Sequence, residues 1–238
     1  MRQAVKITAV TFLIFVLQYS ASCLGSIVAS QFDYYMIDPQ NRFMNVSVHH
    51  IVQMLVAILF IVLIAKTAGV RNFRLKPKVD RLGIIYTLIF CLVLGICYAV
   101  EYIVALRTHS ISTYGYSLTG TNVLGTLGFQ LFLSGPSEEI LFRSLPITIY
   151  LYVLGCESKK NNWLAIVLAA LLFGIAHIDF KNGNTSWFQV GYATLLGIAY
   201  GYTFIKSKSV IYPMIMHSMS NVFSLGGFYL YMFLLQNS

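Results

Sequence analysis

The sequence predicts an all-α fold, a polytopic transmembrane helical bundle of seven or eight membrane segments. Three observations predict it. Of 238 residues, 58% are hydrophobic and only 10% are charged, where a soluble domain carries roughly a quarter charged residues. Apolar runs near the ~20 residues needed to cross the hydrocarbon core recur along the whole chain. Lysines and arginines collect in the short segments between those runs, mostly on one side of the membrane.

The first run, 5–29, follows Arg2 and Lys6. Its Ser20-Ala21-Ser22-Cys23 loosely resembles the end of a lipoprotein signal. Ser20, however, stands where such a signal wants Leu, and apolar residues continue past Cys23, so an uncleaved first span is expected. Runs at 48–66 and 83–106 complete an N-terminal unit of three spans, 1–120. A second unit, 121–238, holds runs at 122–143, 163–179, 188–205 and 210–235. The piece 144–154 follows Arg143 directly, with Pro146 near its start, and reads either as an interfacial helix or as the tail of a bent span. Gly226-Gly227 leaves room for a break in the last run, which is why the count stays at seven or eight. The loop 107–120, rich in Ser, Thr, Gly and Tyr, reads as a flexible external connection.

Placing the N-terminus inside puts twelve basic residues on the cytoplasmic side: Arg2, Lys6, the six from Lys66 to Arg81, Lys159, Lys160, Lys206 and Lys208. Arg42, Arg107 and Lys181 fall outside. That bias predicts an integral, multi-pass protein of the plasma membrane with a cytoplasmic N-terminus. The net charge of +8 comes from these loops, so nucleic acid is not expected as a partner. Cys23, Cys91, Cys97 and Cys156 form no CxxC pair and mostly lie inside apolar runs. They read as small buried hydrophobes.

One stretch breaks the apolar pattern. Between Val123 and Leu154 the only charged residues are Glu138, Glu139 and Arg143, and a charge at bilayer depth costs a few kcal/mol or more. Glu139 and Arg143 are i,i+4 and can pair along one helix face, whereas Glu138 is turned by about 100° and escapes that pairing. Pro136 and Ser137 read as a helix start inside the membrane. His177 and His217 are expected to be the only other histidines in membrane context, and Asn221 shares a helix face with His217. A carboxylate near two histidines can hold and deprotonate water, and a histidine or amide can stabilise an oxyanion. Two histidines and a carboxylate are also a ligand set for catalytic zinc, so His177, His217 and Glu138 are candidate metal ligands. Both routes end in hydrolysis of a carbonyl compound. No His-Glu-x-x-His or Gly-x-Gly-Asp motif occurs, and Ser134 and Ser137 lack a Gly-x-Ser setting.

Glu138-Glu139-x-x-x-Arg143, Phe173-x-x-x-His177 and His217-x-x-x-Asn221 follow one another in that order. Together they resemble the signature of the CPBP intramembrane proteases, the Abi or Rce1-like family. That family includes type II CAAX prenyl endopeptidases and bacterial proteins linked to bacteriocin processing and self-immunity. The resemblance covers roughly 120–225 and implies a helical bundle with an active site in a cavity open to the cytosol. It implies Glu138 as the base activating water, His177 assisting it, and His217 and Asn221 binding the oxyanion. Glu139 and Arg143 are implied as supporting residues, with His217 joining the ligand set in a metal-dependent version.

The activity implied is an intramembrane endopeptidase acting on a membrane-associated protein or peptide, CAAX-type or bacteriocin- or pheromone-like. Zinc is the one cofactor the residues allow, and no organic cofactor is expected. Two other functions fit the same residues: a non-catalytic self-immunity or scaffold protein, and an ion-coupled transporter. The transporter would want a second acidic residue deep in another span, where only Glu101 offers itself, and no inverted repeat is visible.

Overall fold

Hydrophobic patterning resolves into seven helices in a computed structural model that describes residues 2–111, 117–180 and 183–236. They are α1 (Arg2–Ala29), α2 (Met44–Thr67), α3 (Arg81–Thr108), α4 (120–154), α5 (Lys159–Ile175), α6 (Trp187–Ser207) and α7 (Ile211–Gln236). No strand occurs among the described residues. Helices α1, α2, α3 and α7 are long and apolar enough to cross a membrane by length and composition. Their outer faces carry exposed Phe12, Leu13, Leu55, Leu59, Leu88, Leu92 and Ile96. Lipid tails are as apolar as leucine, so that exposure carries no penalty in a bilayer. The chain is thus a polytopic helical membrane protein.

Helix α4 departs from expectation. The sequence suggested a helix start at Pro136-Ser137 and a piece at 144–154 that was either separate or the tail of a bent span. Instead 120–154 is one continuous helix, about 50 Å long at 1.5 Å per residue. Two π turns, Gln130–Ser134 and Ile140–Ser144, each end just before a proline, Pro136 and Pro146. A proline lacks an N–H and its ring crowds the preceding turn, and a wider turn absorbs both defects without ending the helix. Helix α7 likewise runs unbroken through Gly226-Gly227.

Tyrosine and arginine side chains tie the segments at one end of the bundle. Tyr150 Oη bonds Thr11 Oγ1 at 3.0 Å, Tyr152 Oη donates to Ala68 O at 3.0 Å, and Tyr212 Oη donates to Lys78 O at 2.9 Å. Arg74 donates to Phe204 O at 3.1 Å and pairs with Glu157 at 2.6 Å. The segments 68–80, 155–158 and 208–210 therefore meet the first half of α1, and the segments carrying Lys66 to Arg81, Lys159, Lys160, Lys206 and Lys208 gather there. Val70, Phe73 and Arg74 are buried, and the Ser144 hydroxyl donates to Phe73 O, which anchors the 68–80 segment on α4.

The opposite end holds segment 30–43, the start of α4 and the segment after α5. Asn122 Nδ2 donates to Gln40 Oε1 at 3.0 Å, and Tyr231 Oη donates to Ile111 O at 2.9 Å. Lys181 and residues 112–116 of the 107–120 loop lie outside the described residues. Asp38 organises the entry to α2, accepting from the backbone N–H groups of Arg42, Phe43 and Met44 at 2.8, 2.7 and 2.8 Å. Desolvation alone would raise its carboxyl, but those three donors together with the Arg42 charge outweigh it and hold the group below the usual range.

Candidate active site

The periodicity of α4 divides its two glutamates. Arg143 Nε lies 3.1 Å from Glu139 Oε2, and both side chains are fully buried. The i,i+4 pairing read from the sequence is present, with additional partners. The Arg143 guanidinium lies 4.1 Å from the Phe173 ring centroid and 5.2 Å from that of Tyr200, so aromatic faces take the place of water around it. The other oxygen of Glu139 is 2.8 Å from His217 Nδ1. Tyr200 stacks on the His217 ring at 5.3 Å. Helices α4 and α7 approach closely here because residue 135 is glycine: a Cβ would stand 2.6 Å from Met214 O. Glu139 thus neutralises Arg143 and also fixes the His217 imidazole.

Glu138 is 17% exposed where Glu139 is 0%, and it faces a cavity. His50 Nε2 is 3.8 Å from Glu138 Oε1, and His217 Nε2 is 3.8 Å from Oε2. His50 corrects the expectation that His177 and His217 are the only histidines in membrane context. It belongs to the candidate span Met44–Thr67 and is buried. The adjacent pair His49-His50 at the head of an uncharged run was the available signal. Its partner, Ser137, is no helix start: the hydroxyl donates to Ser134 O at 3.1 Å and stands 2.7 Å from His50 Nδ1. His49 is used in packing, 3.1 Å from Ser26 Oγ and 3.1 Å from Gln53 Oε1.

The three remaining imidazoles share one arrangement. A Ser137 oxygen already donating elsewhere, the Phe173 carbonyl and the Glu139 carboxylate each accept, so Nδ1 of His50, His177 and His217 is the donor in every case. The free Nε2 of each neutral ring is then a lone pair. His177 stands just past the end of α5, its Nδ1 2.8 Å from Phe173 O. It forms no ion pair with Glu138 among the described residues.

Two cavities meet at Glu138. The larger, about 630 Å³, runs between α1, α2 and the end of α5. The smaller, about 350 Å³, also holds His217, Asn221, Gln130 and Ser134. Glu138, His50 and His177 line both. Asn221 is in place, but its amide nitrogen already donates to Gln130 Oε1 at 2.8 Å and Ser134 Oγ at 3.0 Å. Among the described residues no group of three or more His, Cys, Asp or Glu is arranged to hold a metal ion, the candidate set His177, His217 and Glu138 included.

The larger cavity reaches from Phe15 and Glu138, midway along their helices, to Ile27 and Phe180 at the end away from the basic loops. Two readings therefore conflict. With the N-terminus inside, this cavity does not open to the cytosol. If it does open there, the basic loops lie outside.

A carboxylate flanked by oriented imidazoles, midway through a bundle of membrane helices, is an arrangement able to hold and polarise a water. Comparison with known families adds a match over part of the chain. Residues 120–223 match the family model described as Type II CAAX prenyl endopeptidase Rce1-like. The match starts at the first residue of α4 and ends just after Asn221, so it contains all three motifs, and the resemblance to the CPBP family holds over this segment. It covers somewhat less than half of the chain. No curated protein and no solved structure matches.

Proposed function

We propose that this protein is an intramembrane endopeptidase in which Glu138 deprotonates a water that attacks a peptide carbonyl of a membrane-associated substrate. The observation that carries this reading is the pair of Nε2 lone pairs, on His50 and His217, each 3.8 Å from a different Glu138 oxygen. Such a gap is too long for a hydrogen bond, and one water making two bonds of ~2.8 Å spans it. Glu138 takes the water proton as the hydroxide oxygen bonds to the carbonyl carbon. As the tetrahedral intermediate collapses, the C–N bond breaks and Glu138 returns the proton to the leaving amine.

His217, its ring fixed by Glu139 behind Nδ1, serves an oxyanion only through a protonated Nε2. Asn221 serves the same oxygen only by exchanging one of its bonds to Gln130 or Ser134. His177 lines both cavities at the entrance to Glu138, consistent with an assisting role. A carrier would need its polar path to continue through the basic end, where Val70, Phe73 and Arg74 are buried.

The test is hydrolysis of membrane-anchored peptides by purified protein and its Glu138→Gln variant, with metal content measured alongside. Loss of cleavage in a folded variant is expected, with turnover by the parent surviving metal removal. Unchanged cleavage in Glu138→Gln would end the proposal. Zinc near one equivalent, lost on chelation together with activity, would replace carboxylate-only activation with a metal-bound water.

A further inference from the structure

We propose that the basic end of the bundle carries a site for an anionic phospholipid headgroup, formed by Lys206, Tyr202, Trp163 and Tyr86 where α3, α5 and α6 meet. None of these residues lines either cavity at Glu138, so the site stands apart from the proteolytic reading.

Charge at this end is unmatched within the chain. Every lysine and arginine in 66–81, 159–160 and 206–208 is exposed except Arg74. The two acids of the adjoining segments are engaged: Glu157 pairs with Arg74 at 2.6 Å, and Asp80 accepts from Gly83 N–H at 2.9 Å ahead of α3. Among the described residues none of the exposed cations here has an ion pair. Helix capping does not occupy them either. Arg74 donates to Phe204 O and Ile205 O and so serves the last turn of α6. Lys159 and Lys160 stand in the first turn of α5, where the helix dipole disfavours cations. The counter-charge therefore comes from outside the chain.

An aromatic cluster beside the cations identifies its source. The Tyr202 ring lies 5.7 Å from that of Trp163 and 5.6 Å from that of Tyr86, and Lys206 Nζ stands 5.5 Å from the Tyr202 centroid. Arg81, Lys159 and Lys206 lie at the ends of α3, α5 and α6, and Tyr86, Trp163 and Tyr202 follow about 6–8 Å further in. Three helices thus each present a cation at the end and an aromatic ring one turn deeper. Trp163 is 41% exposed. Tyrosine and tryptophan favour the depth at which headgroups give way to acyl chains, which puts Lys206 at headgroup height. An anionic phospholipid satisfies both layers. Its phosphate meets Lys206 and the neighbouring cations, while its glycerol and upper acyl carbons lie on Trp163 and Tyr202. A soluble anion would engage the cations and leave the rings unused.

Native mass spectrometry of protein released from micelles holding equal amounts of phosphatidylglycerol and phosphatidylcholine tests the assignment. The parent should retain phosphatidylglycerol in preference. Lys206→Ala should lower that preference about fivefold, the effect of one basic residue at an anionic surface. Trp163→Ala, which removes no charge, should lower it as well. Lys76→Ala removes the same charge from the 68–80 segment, outside the cluster, and should change it little. Melting temperatures in detergent establish that each variant is folded. Equal retention of the two lipids by the parent overturns the proposal. So does an equal loss in Lys76→Ala and Lys206→Ala, which would reduce the basic end to a diffuse field, or the parent's preference persisting in Trp163→Ala. Displacement of the retained lipid by glycerol 3-phosphate alone would show a soluble anion site and overturn the assignment to phospholipid.

Discussion

Glu138 and Glu139 are neighbours in sequence but occupy two different regions of the molecule. On the Glu139 side the surroundings are closed: Arg143, the rings of Phe173 and Tyr200, and the His217 imidazole enclose a carboxylate with no exposure. On the Glu138 side two cavities meet, and the nearest imidazole nitrogens stand off at 3.8 Å. A helix turns by about 100° per residue, so adjacent acids cannot share a face. The closed side holds a ring in one orientation. The open side leaves a carboxylate with space for a reactant.

The largest expected effect lies on the open side. Glu138→Gln should lower kcat by about 10²–10⁴-fold or more, the contribution of a positioned general base. Because Glu138 neutralises no buried arginine, the variant's melting temperature in detergent should stay near that of the parent. A large fall in stability with residual activity would place Glu138 on the wrong side of the comparison.

Breaking the closed side should reverse that pattern. Arg143→Ala or Glu139→Ala leaves a buried charge unmatched and should destabilise the fold by about 3–5 kcal/mol. Replacing both with leucine should recover much of the stability, because the desolvation of both charges disappears with them. Activity should not return, since Nδ1 of His217 would lose its acceptor. Thermal unfolding and turnover measured on the same preparations separate the two results.

A third effect concerns His50. His50→Ala should reduce kcat by roughly ten- to a hundredfold, the scale of losing one orienting partner, with KM little changed. Ser137→Ala frees the ring without removing it and should cost less. Equal activity in all three proteins would leave the water to Glu138 and His217 alone.

What the sequence made legible follows the range of each interaction. Glu139 with Arg143 is a contact along one helix, and spacing alone gives it. So does the exclusion of Glu138 from that pair. Basic loops are local too, and the structure gathers the segments carrying Lys66 to Arg81, Lys159, Lys160, Lys206 and Lys208 at one end. His50 with Ser137 joins residues 87 apart, and His217 with Glu139 joins residues 78 apart. No helical period relates such positions, so only packing reveals them. The unbroken α4 was hidden for a different reason: proline reads as a break, and the π turns that accommodate Pro136 and Pro146 leave no mark in residue type.

Asp38 extends the comparison to a third buried carboxylate, held by backbone donors and by the nearby charge of Arg42 and lining neither cavity. It is 1% exposed and accepts from three backbone N–H groups ahead of α2. Its carboxyl is held below the range it has in an unfolded chain. It therefore contributes stability above the unfolded value, and that contribution is lost as pH falls through the folded one. Asp38→Asn should lower stability at neutral pH by about 1–2 kcal/mol, the range for losing an N-terminal cap. It should also flatten the acid side of the stability curve, where the parent loses this contribution and the variant has none to lose. Because Asp38 sets the entry of α2 and α2 carries His50, kcat should fall with the loosening of that helix and by less than in His50→Ala. A thermal-shift series from neutral to acid pH, run beside turnover at neutral pH, measures both. If Asp38→Asn kept the parent's acid slope, the backbone donors and Arg42 would not be stabilising the ionised group, and Asp38 would be no structural carboxylate.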